Sequence, residues 1–150
     1  MQRQRRAFLA LLSLMAAAGL LPARAARAEE WNNAAFAAKK LEDLLKILGA
    51  GAPQLSTEVV LMAPEIAENG AVVPLEIESK LADTQSIAIL IEKNPNTLAA
   101  SFTIPSGTLP WLQTRVKMAE TCNVYVLVNA GGRFYYTAKE VKVTIGGCGG

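Results

Sequence analysis

The sequence of 150 residues contains no histidine, only two cysteines and few aromatic residues. Without histidine, the chain cannot form a Ser-His-Asp triad, a Cys-His dyad, a histidine-ligated zinc site or a c-type haem attachment site. The two cysteines, Cys122 and Cys148, are too few to build a metal site by themselves. We therefore expect no metal, no cofactor and no catalytic residue in this chain.

The sequence also has no membrane-spanning run near its start, because the apolar stretch of residues 7–21 is too short to cross a bilayer. That stretch follows the pair Arg5-Arg6 and leads to the small residues Ala26-Arg27-Ala28, the pattern of an export signal with an Ala-x-Ala cleavage site. The paired arginines indicate the twin-arginine route. We predict that residues 1–28 are removed and that the mature protein is periplasmic. The alternative is a cytosolic protein with an apolar leader helix.

Positive charge is scarce once the leader is removed. The full chain has a net charge of +2, from 15 basic and 13 acidic residues. Five of the basic residues and none of the acidic ones lie in residues 1–28, which leaves ten basic and 13 acidic residues and a net charge of −3. No basic patch with interleaved aromatic residues remains, so we expect no nucleic acid partner.

Residues 33–48 have apolar side chains at helical spacing and charged ones on the opposite side. The pattern predicts one amphipathic helix, capped by Asn32 or Asn33 and ended by Gly49. The predicted apolar face comprises Ala37, Leu41, Leu44, Leu45 and Leu48. Because the polar face carries both signs of charge, packing on the domain is favoured over binding to a membrane surface.

After Pro53 the pattern changes to the alternation of β-strands. Turn sequences such as Asn69-Gly70 and Pro105-Ser106-Gly107 separate the runs. The seven runs are residues 58–63, 71–80, 86–91, 98–104, 112–118, 122–128 and 134–145. They predict a mainly β protein, an immunoglobulin-like antiparallel β-sandwich within a domain of residues 29–145. In the last run the apolar residues change from even to odd positions, which predicts a β-bulge at residues 138–140.

The chain ends with one thiol between four glycines, Gly146, Gly147, Cys148, Gly149 and Gly150. Glycine loses more backbone entropy on ordering than any other residue, so residues 146–150 are predicted to be a flexible arm. With no neighbouring histidine, the Cys148 thiol stays mostly protonated near neutral pH. This favours a carrier, whose thiol is activated by its partners, over a catalyst. The alternative is a tail tied back by a disulfide.

Cys122 shares its predicted strand face with Val124, Val126 and Val128, which indicates a buried thiol. The alternative is a disulfide to Cys148, which an oxidising compartment would permit, although the tail would then have to enter the core. Tyr125 and Leu127 face the other way, which predicts that the helix or another subunit covers that side of the sheet.

The terminal residues 139–150, KEVKVTIGGCGG, resemble the SoxY family of the periplasmic thiosulfate-oxidising (Sox) system. Residues 64–70, 73–74, 92–95 and 114–119 support the resemblance, which extends over nearly the whole chain, and the twin-arginine leader agrees with it. The resemblance implies that Cys148 is the covalent attachment point for sulfur intermediates. Cys122 is not part of the family motif, which leaves open a second redox-active or partner-linking thiol at that position.

The resemblance also implies partners and a role as carrier rather than enzyme. SoxY forms a heterodimer with SoxZ, a smaller β-sandwich. The cytochrome complex SoxAX joins thiosulfate oxidatively to the thiol, and the hydrolase SoxB then releases sulfate. In some organisms the sulfane dehydrogenase SoxCD oxidises the sulfur that remains.

Two functions from other classes stay open. One is a periplasmic interaction module that uses Cys148 for a structural disulfide. The other is a sulfur carrier of the ubiquitin-like type, which bears sulfur on a terminal Gly-Gly carboxylate. That chemistry needs cytosolic adenylation, so the export leader and the number of strands argue against it.

Overall fold

The computed structural model describes residues 32–145, which form two β-sheets and two short helices. The predicted export signal, residues 1–28, and the arm, residues 146–150 with Cys148, lie outside the described residues. The helices are α1 (Asn33–Ala37) and α2 (Leu41–Ile47). The strands are β1 (Gln54–Leu55), β2 (Val59–Met62), β3 (Ile66–Ala67), β4 (Val73–Ser79), β5 (Thr84–Ile91), β6 (Leu98–Thr103), β7 (Trp111–Val116), β8 (Cys122–Ala130) and β9 (Arg133–Val143).

The prediction of one continuous helix was wrong, because the chain is extended at Ala38 and Lys40 between α1 and α2. Both Ala35 and Leu44 are fully buried in one cluster. Residues nine positions apart lie on opposite sides of a continuous α-helix, about 180° apart, so an unbroken helix cannot bury both. The break turns α2 so that Leu44 also faces the sheet, and Ala37, predicted to face the core, is exposed.

The ends of the helical segment follow the predicted capping. The side-chain oxygen of Asn32 accepts a hydrogen bond from the backbone N–H of Ala35 at 3.0 Å. At the other end Gly49 has a φ of 72°, the left-handed conformation that commonly follows a helix C-terminus. None of the helices in residues 32–145 is long and apolar enough to cross a membrane.

The strands form a two-sheet sandwich, as predicted. The large sheet has the order β1-β9-β8-β5-β6, with β3 also paired to β9, and the small sheet has the order β2-β4-β7. All seven predicted runs are strands. The sequence did not predict β1 and β3, two-residue strands that pair in parallel with β9, because two residues are too few to show an alternation.

The predicted bulge in β9 was also wrong. The pairing of β8 with β9 is unbroken from Cys122 opposite Val141 to Ala130 opposite Arg133. The apolar residues change from even to odd positions because the sheet is buried on both faces. Even positions of β9, such as Tyr136, pack toward the helices, whereas odd ones, such as Val141, face the small sheet.

The large sheet therefore separates two hydrophobic clusters. The inter-sheet core lies between the two sheets and includes Ile77, Ile89 and Val126. The helix core lies between the large sheet and the helices and includes Leu44, Leu90 and Leu127. The prediction that the side of the sheet bearing Leu127 is covered by the helix is confirmed.

Candidate functional site

The last strand is fixed to the body of the domain just before the predicted arm begins. We call residues 142–145 the arm root. Its hydrogen bonds run from Lys142 N to Glu65 O (2.9 Å), from Val143 N to Thr121 Oγ1 (2.9 Å), from Thr144 N to Ala67 O (3.1 Å), from Thr144 Oγ1 to Glu68 O (2.9 Å) and from Gly70 N to Ile145 O (2.7 Å). Every residue of the arm root is thus held by a neighbouring segment.

This anchoring restricts where the thiol can act. Ile145 is the last described residue, and Cys148 is the third residue after it. Three residues of extended chain span at most about 10 Å, which limits how far Cys148 can lie from Ile145. Ile145 is therefore held at a defined end of the sandwich, beside residues 65–70, the segment that contains β3.

We expect Thr121→Val to destabilise the domain by about 1 kcal/mol, because it leaves the N–H of Val143 without its side-chain acceptor. Urea unfolding measures the loss, and faster hydrogen exchange at the Val143 amide locates it. Thr108→Val, at an exposed loop position, is the matched control and should change neither quantity. Equal effects of the two substitutions would contradict anchoring of the arm root by Thr121.

The second thiol lies inside the protein. Cys122 is free, 4% exposed and part of the inter-sheet core, opposite Val141. Burial raises the pKa of the Cys122 thiol above its ordinary value, so the thiolate is disfavoured at neutral pH. Both effects oppose nucleophilic reaction and metal binding, and the placement favours a structural role. Cys148, the other predicted site residue, lies outside the described residues.

The outer face of the small sheet carries an open groove of about 830 Å³. We call it the sheet groove. It is lined by Met62, Ala63, Pro64, Pro74, Leu75, Glu76, Gln113, Thr114 and Arg115. Glu76 accepts hydrogen bonds from Gln113 Nε2 at 2.9 Å and from Trp111 Nε1 at 3.0 Å, and these bonds lower the pKa of its carboxyl group.

Two exposed cations lie near the end of β7. Arg115 follows Gln113 at the alternate position of β7, so both project from the outer face of the small sheet, and Lys117 is exposed just after the strand ends. In the described structure the salt bridges join Lys46 to Asp43 and Lys93 to Glu120, and neither includes Arg115 or Lys117.

Sequence reasoning did not identify the groups that hold the arm root. Thr121 lies in a turn, and Glu65, Ala67 and Glu68 act through backbone carbonyls. Backbone acceptors have no sequence signature, because every residue carries one. Across residues 32–145, no three Cys, Asp or Glu side chains are grouped so that they could hold a metal ion.

One family model and two solved structures match this chain. Residues 44–148 match the family model described as sulfur oxidation protein SoxY. The solved structure of the sulfur carrier protein SoxY from Chlorobium limicola f thiosulfatophilum is similar, with 39% identity and a TM-score of 0.64 over 73% of this chain and 96% of that chain. An engineered protein matches with a TM-score of 0.40 and 15% identity over 63% of this chain and 21% of its own. The search of curated proteins found no match.

Proposed function

This chain belongs to the SoxY family of sulfur oxidation proteins, and we propose that it carries thiosulfate-derived sulfur covalently on the thiol of Cys148. One observation carries the proposal. The family match ends on Cys148, three residues beyond an arm root that hydrogen bonds attach to the domain on several sides. A thiol tethered at a defined end of a folded domain can be presented to several enzymes in turn.

The chemistry on the thiol is an oxidation followed by a hydrolysis. In the first step the Cys148 thiolate and thiosulfate (S2O3²⁻) form an S–S bond and lose two electrons, which gives Cys–S–S–SO3⁻. The two electrons pass one at a time to haem iron in a cytochrome partner. In the second step water cleaves the bond to the sulfonate sulfur, which releases sulfate and two protons and leaves Cys–S–S⁻. The remaining sulfane sulfur is then available for further oxidation.

We assign the activating groups for these steps to partner enzymes. The chain has no histidine, and its other thiol is buried with a raised pKa. The proposed partners are the cytochrome complex SoxAX, the hydrolase SoxB and, where present, the sulfane dehydrogenase SoxCD. SoxZ is the proposed permanent partner in a heterodimer. The proposed location is the periplasm, after export by the twin-arginine pathway and cleavage of residues 1–28.

The test is the intact mass of the mature protein, isolated from the periplasm of cells that are oxidising thiosulfate. We expect added masses of sulfur or thiosulfonate size that disappear after mild reduction. A mass lower than that of the reduced protein by two hydrogen atoms, without an adduct, would instead indicate a bridge between Cys122 and Cys148 and would contradict the carrier function.

A further inference from the structure

We propose that β7 is an interface between two copies of this chain, which pair antiparallel along it about a two-fold axis at Gln113. The three-stranded small sheets of the two copies then become one continuous sheet. The inference is independent of the proposed carrier function, because it uses only the small sheet. It would place two domains, each with its own Cys148, in one assembly, and SoxZ would then bind another surface.

The backbone of β7 is paired on one side only, because β7 is the outermost strand of the small sheet. Ser79 N donates to Pro110 O at 2.9 Å, and this pair fixes the alternation of the ladder between β4 and β7. Counting from it, the even-numbered residues of β7 exchange hydrogen bonds with β4, whereas the N–H and C=O groups of Gln113 and Arg115 point away from β4. Within residues 32–145 these four groups have no hydrogen-bond partner.

The other edges of the two sheets are shorter or covered. α1 contacts β6, and Thr97 N, just before β6, donates to Ala38 O at 2.9 Å. β1 has two residues and β2 has four. β7 has six residues, contains no proline and pairs with β4 without a bulge. A strand of this kind with one unpaired side is a template for pairing with another chain.

The length of β7 selects one register of the symmetric pairing. The outward-pointing backbone groups belong to Trp111, Gln113 and Arg115. With the axis at Gln113, this residue pairs with its own copy, and Trp111 of each chain pairs with Arg115 of the other. A shift by one residue of the axis in either direction would leave Arg115 or Trp111 opposite a residue outside β7. Only the register centred on Gln113 therefore pairs all three positions within the strand.

This register gives partners to the unpaired backbone groups. The two Gln113 residues exchange N–H···O=C bonds across the axis. On either side Arg115 N of one copy donates to the Trp111 carbonyl of the other. The reverse bond is not needed, because Trp111 N already donates to Leu109 O at 2.9 Å within its own chain.

The outward side chains complement one another in the same register. Trp111 is 43% exposed, and its Nε1 donates to Glu76 at 3.0 Å. Arg115 of the other copy lies directly opposite Trp111, so its guanidinium group can stack on the indole ring. Glu78 lies beside Trp111 on β4, and Glu76 is diagonal to it, so the cation also meets two carboxylates. Within its own chain Arg115 lies opposite Pro74, with only Glu76 at a diagonal position.

The first test is the oligomeric state of the mature chain with Cys148→Ser, a substitution that prevents a disulfide between two arms. Sedimentation equilibrium covers protein concentrations from micromolar to millimolar. We expect a reversible equilibrium of monomer and dimer with a dissociation constant in the micromolar range, as is usual for a small interface. A chain that stays monomeric over the whole range would overturn the proposal.

Amide hydrogen exchange, measured by NMR in the same variant, identifies the strand that pairs. At low concentration the amides of Leu112 and Thr114 should be protected by β4, whereas those of Gln113 and Arg115 should exchange rapidly. Raising the concentration should protect Gln113 and Arg115, because only these two donors of the strand gain a partner. A dimer that protects the amides of another element instead would overturn the assignment to β7.

Two substitutions of Gln113 test the backbone pairing. Gln113→Pro removes the N–H at the axis but no hydrogen bond to β4, so this variant should fold and remain monomeric. Gln113→Ala is the matched control, since it removes the same side chain and keeps the N–H. It should still form the dimer. Equal dissociation constants for the two variants would contradict the pairing.

A charge reversal tests the contact between Arg115 and Trp111. Arg115→Glu would place a carboxylate beside Glu78 of the other copy at both symmetric positions, so it should weaken the dimer by about tenfold. Arg133→Glu makes the same change of charge at an exposed position of the β8–β9 hairpin and should leave the dissociation constant unchanged. Equal weakening by the two substitutions would overturn the contact.

The Arg115 variants decide the question even if Gln113→Pro fails to fold. None of these outcomes affects the carrier function, because that function is tested by the mass of the protein from cells. Conversely, a protein without a sulfur adduct would leave the β7 interface unaffected.

Discussion

Cys148→Ser should abolish covalent loading with thiosulfate-derived sulfur completely, whereas Cys122→Ser should retain it. A serine hydroxyl cannot form the S–S bond that holds the intermediate, and burial removes Cys122 from contact with reagents. Intact mass after incubation with tetrathionate measures loading of each variant. In cells, Cys148→Ser should also abolish thiosulfate oxidation by this route.

The two variants should rank the other way round in stability. Cys148→Ser, which cannot be loaded, should stay as stable as the unmodified protein, whereas Cys122→Ser, which can be loaded, should be less stable. Cys148 lies beyond the arm root, so its substitution should change the free energy of unfolding by no more than about 0.5 kcal/mol. Cys122→Ser places a hydroxyl group among apolar side chains of the inter-sheet core and should cost about 1–3 kcal/mol. Urea unfolding separates the two. A folded Cys122→Ser protein that cannot be loaded would show that Cys122 takes part in the chemistry.

Leu44→Ala should destabilise the whole domain by about 2–5 kcal/mol, in the same range as Ile89→Ala. Leu44 is fully buried in the helix core, and Ile89 is fully buried on the other face of the same sheet. Deleting either side chain removes buried apolar surface and leaves a cavity. Thermal and urea unfolding, followed by circular dichroism in the β-sheet region, give the comparison.

Ile47→Ala is the control for this prediction, since Ile47 lies on the same helix but is 42% exposed. It should cost much less than Leu44→Ala. If Leu44→Ala changed only the helical signal and left the unfolding of the sheets unchanged, the helices would be a separate cap rather than part of the core. That outcome would contradict the two-sided burial of the large sheet.

Much of the fold could be predicted because its strands are long enough to show their pattern. The alternation in β4 and β7 reflects one buried and one exposed face. The run in β5 is apolar on both faces because this strand lies inside a sheet covered on both sides. The resemblance to SoxY came from the terminal motif around Cys148 and agrees with the family match.

The errors arose where a local pattern has two physical explanations. Along β9 the apolar residues change from even to odd positions. Either a bulge or a sheet with two buried faces can cause this change, and the sequence of one strand does not distinguish the two. Likewise, the spacing of residues 33–48 allows one helix. The structure has two helices instead, because one straight helix could not bury both Ala35 and Leu44 against the sheet.

The sequence by itself determined which reactive side chains are present: no histidine and two thiols, one of which, Cys148, lies between glycines. These are properties of residue type and order, which folding does not change. The sequence indicated that Cys122 is buried, but only the tertiary structure decided that it faces the small sheet and that Thr121 and residues 65–70 anchor the arm root. Contacts between residues far apart in the chain depend on packing and backbone hydrogen bonds, which no local pattern records.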